Sequence, residues 1–374
     1  MDTEVFSDLD RQHMRRALEL AARGLMTTHP NPRVGCVLVR GDVVVGEGWH
    51  RAAGEPHAEA LALAAAGEAA RGAVAYVTLE PCVHHGRTPP CTEALIAAGV
   101  SQLVYASGDP DPRVNGAGAA ALRAAGIAVH GGLLASAADE LNAGFLSRLT
   151  RGRPFVRVKV AASLDGRTAL ANGVSRWISS DAARADVHQW RARSDAILTG
   201  IGTVLADDPQ LTVRLGNESQ RQPLRVVLDG RLRIPRSAKM LTVPGKALIF
   251  SRRDAVGAEL AGAAQAAMQR DGIGLEWLDS SGTGLDVAGA LGHLARQLSI
   301  NEVLVEAGAT LTGALLRAGL ADELLIYMAP MLLGPEARAL AQLPALTALG
   351  AAPRFEFTEL AVVGGDLRMR LRPA

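Results

Sequence analysis

Aromatic residues are scarce, making up 3% of the 374 residues. That leaves little material for the base-stacking platforms that single-stranded nucleic acid needs. An excess of one charge is missing too. Lys and Arg number 39 against 38 Asp and Glu, a formal net charge of +1, so no global field draws nucleic acid or an anionic membrane as the main partner. Lysine occurs only at positions 159, 239 and 246, and arginine carries the remaining positive charge. Cysteine occurs three times, as Cys36, Cys82 and Cys91. An odd, small number argues against a disulfide framework and for a reducing compartment. The N-terminal stretch MDTEVFSDLDRQHMRRALEL is charged and helix-like, with no apolar h-region. No apolar run approaches the ~20 residues that span a bilayer. The expectation is a soluble, cytoplasmic protein with neither nucleic acid nor membrane as partner.

Apolar surface is what the chain has in quantity. Hydrophobic residues make up 48%, ample for a sizeable core and too many for intrinsic disorder. At roughly 150 residues per domain the length predicts two or three domains. Residues 8–24 read as an amphipathic helix, and Val34–Val39 with Val43–Glu47 as a hairpin turned at Arg40-Gly41-Asp42. Helices follow at 57–70, 92–98 and 116–125, and strands at 73–79, 102–106 and 127–130. Strands separated by helices predict a three-layer α/β sandwich. The pattern resets around Thr150-Arg151-Gly152-Arg153-Pro154, without a Gly/Ser-rich linker, which predicts domains at 1–150 and 151–374. The second half alternates again. Its strands are expected at 155–160, 195–199, 224–228, 247–250 and 302–306, and its helices at 181–193, 254–269, 285–298 and 309–318. Strand-like stretches at 323–329, 355–362 and 366–372 close the chain.

Chemistry concentrates first in His57-Ala58-Glu59, Glu80-Pro81-Cys82 and Cys91. Zinc takes imidazole and thiolate in a tetrahedron, and three protein ligands leave one position open for water. His57 opens a predicted helix and Cys91 precedes another, where the helix N-terminus favours thiolate. With two thiolates neutralising the metal, water is less acidified, and a nearby base gains importance. Glu59 suits that role. A closed structural site with His84 or His85 as fourth ligand is the alternative, although it leaves Glu59 unexplained. Cys36, within the strand GCVLV, reads as a buried small apolar residue.

His-x-Glu followed by Pro-Cys and a later Cys is the zinc-deaminase signature. Together with Pro30-Asn31-Pro32-Arg33-Val34-Gly35 and the eight-residue insert VHHGRTPP before Cys91, it resembles the deaminase half of the bifunctional riboflavin-biosynthesis deaminase/reductase family. The resemblance implies a cytidine-deaminase-like α/β/α sandwich. It implies zinc on His57, Cys82 and Cys91, proton transfer by Glu59, pyrimidine contacts from Asn31 and His84, and a phosphate contact from Arg87. Asn31 also suits a turn between prolines, and His84 also suits a surface loop. The family often has Asp-Pro-Asn-Pro where this chain has Asp109-Pro110-Asp111-Pro112, so no amide contact is carried to position 111.

The second half has no complete Gly-x-Gly-x-x-Gly, since Gly200-Ile201-Gly202 runs on as Thr203-Val204-Leu205. Two strand-to-helix junctions still suit phosphate, at Gly200–Thr203 and at Gly308–Ala314, because glycine allows close approach and helix N–H groups accept anions. Each also reads as an ordinary β–turn–α junction. Lys159–Gly166, Ser175–Ile178, Leu205–Arg214 and Val305–Gly308 resemble the reductase half of the same family, a dihydrofolate-reductase-like α/β domain that uses NADPH. The resemblance implies NADPH contacts from Ala161, Trp177, Thr203, Asp207, Gly308, Ala309, Thr310, Leu311, Thr312, Gly313 and Ala314. It implies substrate contacts from Ser175, Arg191, Leu211, Arg214 and Glu306, with Lys159 and Asp207 as catalytic candidates. Alone, Trp177 reads as core, Arg191 and Arg214 as surface charges, and Asp207 with Asp208 as caps of the turn before Pro209. Gly230 stands where the family often has Ser.

The implied function is deamination of 2,5-diamino-6-ribosylamino-4(3H)-pyrimidinone 5′-phosphate, followed by NADPH-dependent reduction of the ribosyl group of 5-amino-6-(5-phosphoribosylamino)uracil to ribityl. The expected partner is thus a phosphorylated pyrimidine, and a homo-oligomer is expected. The rivals are a base or nucleoside deaminase with an unrelated C-terminal domain, a monofunctional reductase with a structural zinc module, and a non-enzymatic zinc scaffold.

Overall fold

The computed structural model describes residues 6–85, 89–216, 221–281 and 284–374. It falls into two compact units, Met1–Gly152 and Arg153–Ala374. In the first, the elements run α1 (Asp8–Ala22), β1 (Gly35–Arg40), β2 (Val43–Trp49), α2 (Ala58–Ala66), β3 (Val74–Leu79), α3 (Cys91–Ala97), β4 (Gln102–Ser107), α4 (Ala117–Ala124), β5 (Ala128–Gly131), α5 (Ala135–Leu141) and α6 (Ala143–Arg151). The sheet order is β2-β1-β3-β4-β5. The β1 pairings are antiparallel and the β3–β4 and β4–β5 pairings parallel.

Alternation along β1 explains the layers. Cys36 and Leu38 pack in a core with Ala58, Ala62, Leu95 and Leu122. Val37 and Val39 face the other way, onto Met14, Ala17 and Leu20 of α1. A sheet buried on both faces needs helices on both, which is the sandwich expected. Cys36 is fully buried in that core. Gly46 and Gly48 let α2 lie directly on β2: a Cβ at Gly48 would come 2.3 Å from the Ala58 carbonyl oxygen, and one at Gly46 2.3 Å from that of Ala62. That close approach fixes where His57 and Glu59 emerge.

The second unit adds β6 (Phe155–Ser163), β7 (Arg167–Ala169), α7 (Asp181–Arg193), β8 (Ala196–Gly200), α8 (Ile201–Asp207), β9 (Leu224–Leu228), α9 (Lys239–Thr242), β10 (Ala247–Arg252), α10 (Arg253–Val256), α11 (Ala258–Arg270), β11 (Gly274–Leu278), β12 (Ser280–Ser281) and β13 (Gly284–Leu285). After these come α12 (Val287–Leu298), β14 (Glu302–Glu306), α13 (Ala309–Arg317), β15 (Glu323–Ala329), β16 (Arg338–Ala339), β17 (Phe355–Val363) and β18 (Asp366–Pro373). One sheet has the order β11-β10-β9-β8-β14-β6-β15-β18-β17. It is parallel from β11 to β15, and the C-terminal hairpin joins antiparallel. Near-continuous apolar runs in β6, β8, β9 and β14 suit strands buried on both faces. Among the described residues no helix is long and apolar enough to cross a membrane.

Some elements differ from expectation. The helix read at 57–70 stops at Gly67, whose φ of 53° ends it, and a 3-10 turn follows. The helix read at 254–269 breaks at Gly257, with φ 85°. Helices α5 and α6 were not expected. Each is only two turns long, too short for apolar periodicity to register, and Asn142 separates them. Strand β11 was also missed, being a short sheet-edge segment with only Leu275 deeply buried.

Candidate active site

His57 caps the start of α2, Cys82 follows β3, and Cys91 begins α3. His57 Nδ1 lies 3.2 Å from Cys91 Sγ and 3.7 Å from Cys82 Sγ. The three donor atoms all fall within 4.8 Å of one another. Tetrahedral zinc, with bonds of about 2.3 Å to sulfur and about 2.0 Å to nitrogen, spaces its ligands roughly 3.5–3.8 Å apart. The donor set and its spacing fit that ion. The Cys91 N–H donates to Cys82 Sγ at 3.4 Å. Hydrogen bonding with Cys91, working against burial, lowers the Cys82 thiol.

No fourth His, Cys, Asp or Glu joins the trio among the described residues. His85 instead faces Glu93 at 3.7 Å, in solvent. His84 lines an adjoining cleft of about 460 Å³, and its Nδ1 is buried without a hydrogen-bond partner. The closed structural site is therefore not formed by these residues. Glu59 lines the same cleft at 3% exposure. Burial, then the Cys82 sulfur, pushes its carboxyl up. Its Oε2 has no protein partner and remains available to a ligand. Asn31 also lines the cleft, and its Nδ2 donates to His50 Nε2 at 3.1 Å, while His50 Nδ1 donates to the Pro56 carbonyl at 3.2 Å. Arg87 lies outside the described residues.

Several neighbours went unassigned in the sequence. Glu80 is 4% exposed and accepts from the N–H groups of Gly116 and Ala119, each at 3.0 Å, so it caps α4 from a distance and anchors the chain entering Cys82. A buried acid two residues before a ligand was the available signal. Asn142 brackets the backbone of Arg33, accepting its N–H at 2.8 Å and donating to its carbonyl at 2.9 Å, which holds the loop that carries Asn31. Asp111 lines the cleft and is clasped by Arg113, which holds it down at about 2. Burial pushes Asp109 up to about 6.

The second unit has a larger cleft, about 1700 Å³, at the C-terminal ends of β6, β8, β9 and β14. Open parallel sheets place ligands at that end of the strands. Lys159 and Glu306 pair across the β6–β14 ladder, so both side chains leave the same face. Arg191 Nε and Nη2 donate to Glu306 at 2.6 and 2.9 Å, and Nη1 donates to the Thr212 carbonyl at 2.9 Å. Burial alone would raise Glu306, but Arg191 and then Lys159 hold it down at about 2. Burial lowers the Lys159 amine against the pull of Glu306. Thr203 accepts the Gly308 N–H at 3.2 Å, tying the two junctions together.

Ala161, Ser175, Trp177, Thr203, Asp207, Leu211, Arg214, Gly308, Ala309, Thr310, Leu311 and Ala314 all line this cleft. Trp177 is 66% exposed, under the Arg184 guanidinium at 4.2 Å, and so is no core residue. Asp208, not Asp207, serves the turn: its backbone is left-handed, φ 42°, and its carboxylate accepts the Lys239 N–H at 2.8 Å. Two expected residues are not brought to the cleft. Thr312 is fully buried. Gly313 packs on Gln342, whose carbonyl oxygen would sit 2.1 Å from a Cβ there. Helix α13 turns both inward, while its residues Ala309, Thr310, Leu311 and Ala314 line the cleft.

Two family models match the chain: the cytidine and deoxycytidylate deaminase zinc-binding region over residues 7–107, and the RibD C-terminal domain over residues 154–369. The riboflavin biosynthesis protein RibD of Escherichia coli is 49% identical over 97% of this chain and 99% of its own. That of Haemophilus influenzae is 46% identical over 98% of each. The chain belongs to the RibD family. Acinetobacter baumannii RibD superposes with a TM-score of 0.88 at 46% identity, covering 98% of this chain and 99% of that one. A Thermotoga maritima diaminohydroxyphosphoribosylaminopyrimidine deaminase/5-amino-6-(5-phosphoribosylamino)uracil reductase superposes at 0.84 with 32% identity, covering 98% and 99%. RibD membership makes the chain a bifunctional deaminase and reductase of riboflavin biosynthesis acting on a small pyrimidine. Its cofactors are zinc, at a His/Cys/Cys cluster, and NADPH. Its two halves have the cytidine-deaminase-like and dihydrofolate-reductase-like folds. The RibD C-terminal match removes the rival with an unrelated second domain.

Proposed function

We propose that the first unit deaminates the diaminopyrimidinone ribonucleotide 5′-phosphate with zinc on His57, Cys82 and Cys91, and that the second reduces the ribosyl group of the deaminated product. Zinc supplies a Lewis acid for water and NADPH a hydride for C1′ of the opened sugar. The chain's own residues do the rest. Glu59 takes a proton from the attacking water and returns it to the leaving nitrogen, so ammonia departs. Asn31, steadied by His50, and His84 meet the pyrimidine, and Arg87 its phosphate. In the second cleft, Ala161, Trp177, Thr203, Asp207, Gly308–Leu311 and Ala314 would hold the cofactor, and N–H groups at the start of α13 would suit its negative charge. Ser175, Leu211, Arg214 and the Arg191–Glu306 pair hold the substrate. Lys159 orients the ribose for hydride transfer, and Asp207, elsewhere in the same cleft lining, is the second catalytic candidate.

The observation that carries this reading is the His57–Cys82–Cys91 trio facing a buried carboxylate across a cleft. Elemental analysis of the purified chain tests it. One zinc per chain is expected, with loss of both metal and ammonia release in Cys82→Ala, because ligand loss and local unfolding are coupled. Unchanged metal in that variant overturns the ligand assignment. We place the enzyme in the cytoplasm, as three cysteines without a disulfide suit a reducing compartment. We also infer a homo-oligomer, supported by the edge strand β17, where Phe357, Leu360 and Val362 are 58–78% exposed. Light scattering at micromolar concentration that gives only monomer mass would refute that.

A further inference from the structure

Helix α7 presents two cleft side chains to the 210–214 segment, one turn apart. Arg191 donates from Nε, Nη1 and Nη2 to Glu306 and the Thr212 carbonyl, three of its five N–H groups. Three residues earlier on the same face, His188 lines the cleft and receives the Arg214 backbone N–H on Nδ1 at 3.2 Å. That bond needs the Nδ1 lone pair, so a neutral ring carries its proton on Nε2. Nε2 lies 3.4 Å from Arg214 Nη2. With that tautomer two donors converge at the cleft surface, the ring N–H having the Thr212 carbonyl as its acceptor within the chain, and neither can accept from the other. A negatively charged oxygen can accept from both, in charge-assisted geometry.

We propose that His188 is a phosphate ligand of the reductase half, its Nε2–H and Arg214 Nη2 together gripping the 5′-phosphate of the phosphoribosyl substrate. The assignment rests on the reductase reading of this cleft. It differs from a purely structural role, in which His188 would only hold the Arg214 backbone. The groups facing the ring are Arg191 on its own helix, Arg214 and the Thr212 carbonyl on the 210–214 segment, and Glu306 on β14. Burial, then Arg191 and Arg214, holds the imidazole down at about 4. An anion at Nε2 raises it, so anion binding takes up a proton and strengthens as pH falls toward the raised value.

Two isosteres separate the roles in the full-length enzyme. His188→Asn keeps an acceptor near Nδ1 and loses the donor at Nε2, whereas His188→Gln carries an amide N–H out to the Nε2 position. The expected result is a reductase KM about ten-fold higher in His188→Asn, kcat within two-fold, and recovery toward wild type in His188→Gln. With dephosphorylated substrate the variants should match wild type. Sulfate, which does not titrate in this range, should compete with substrate more tightly at pH 5.5 than at pH 8 in wild type, but equally at both in His188→Gln. Rescue by Asn rather than Gln, an unchanged KM in both, or pH-independent sulfate competition in wild type overturns the proposal. If wild type oxidises no NADPH with the phosphorylated substrate, the reductase reading itself fails.

Discussion

In the first unit, the proposed zinc ligands His57, Cys82 and Cys91 and the proposed base Glu59 come from two short stretches, 57–59 and 82–91, at two helix starts and a loop. In the second, cleft residues run from Lys159 to Gln342 and come from several strand ends, helices and loops. On the proposed reading the small site rests on three donor atoms around one ion, so losing one would remove the chemistry. The large one spreads its work over many contacts, so single losses are graded, except where a buried charge loses its partner. Substitutions should divide along that line.

The largest effect belongs to Glu59→Gln. Deamination should fall by about 10²–10⁴, the worth of a positioned acid–base group, with zinc content and NADPH oxidation retained. Full turnover in the ammonia assay would remove the proton-transfer role. Next comes Arg191→Met, which strands the buried Glu306 carboxylate. Breaking such a pair costs about 3–5 kcal/mol, and the lower end applies here because both side chains keep 13% exposure. Calorimetry should show a destabilised second unit with the first unaffected. An unchanged transition would make the pair a surface ornament. Arg214→Ala should raise the reductase KM about ten-fold, or about 1.4 kcal/mol, and leave deamination alone. Equal damage to both steps would make Arg214 structural. Glu80→Gln, removing a charged cap from α4, should cost about 1 kcal/mol in the first unit, read by thermal melting.

The two units should also differ in their pH response. Glu306, held at about 2 against an ordinary 4.5, stabilises the second unit above about pH 4.5, and that contribution is lost as pH falls toward 2. Asp109, raised from 3.8 to about 6, has the opposite sign. Its ionisation costs the first unit stability, fully above pH 6, and the cost falls away between pH 6 and 3.8. Asp109→Asn should flatten the first unit's stability profile between pH 7 and 5. An unaltered profile would contradict the shift.

The same contrast governs what could be read from the sequence. The gathering of His57, Cys82 and Cys91, with Glu59 lining the same cleft, was legible because metal chemistry demands those residue types. Most core strands were legible because apolar runs and alternation mark them. Asn142 and Glu80 were not, since their value lies in hydrogen bonds to backbone far along the chain, at Arg33 and at Gly116 and Ala119. Thr312 and Gly313 were read as cofactor contacts because a Gly/Thr-rich junction suits phosphate, but the turn of α13 decides which of its residues look outward. His188 gave no signal either, because its pairing with Arg214 exists only once the 210–214 segment folds back onto α7.

The most direct test follows ammonia and NADPH together in one solution of the Glu59→Gln enzyme. With the diamino substrate ammonia release and the NADPH oxidation that depends on it should both fall by about 10²–10⁴, and adding the deaminated phosphoribosylaminouracil should restore NADPH oxidation at the wild-type rate. Ammonia release that persists without the carboxylate, or NADPH oxidation that stays silent when the intermediate is supplied, would contradict the assignment of separate chemistry to each cleft.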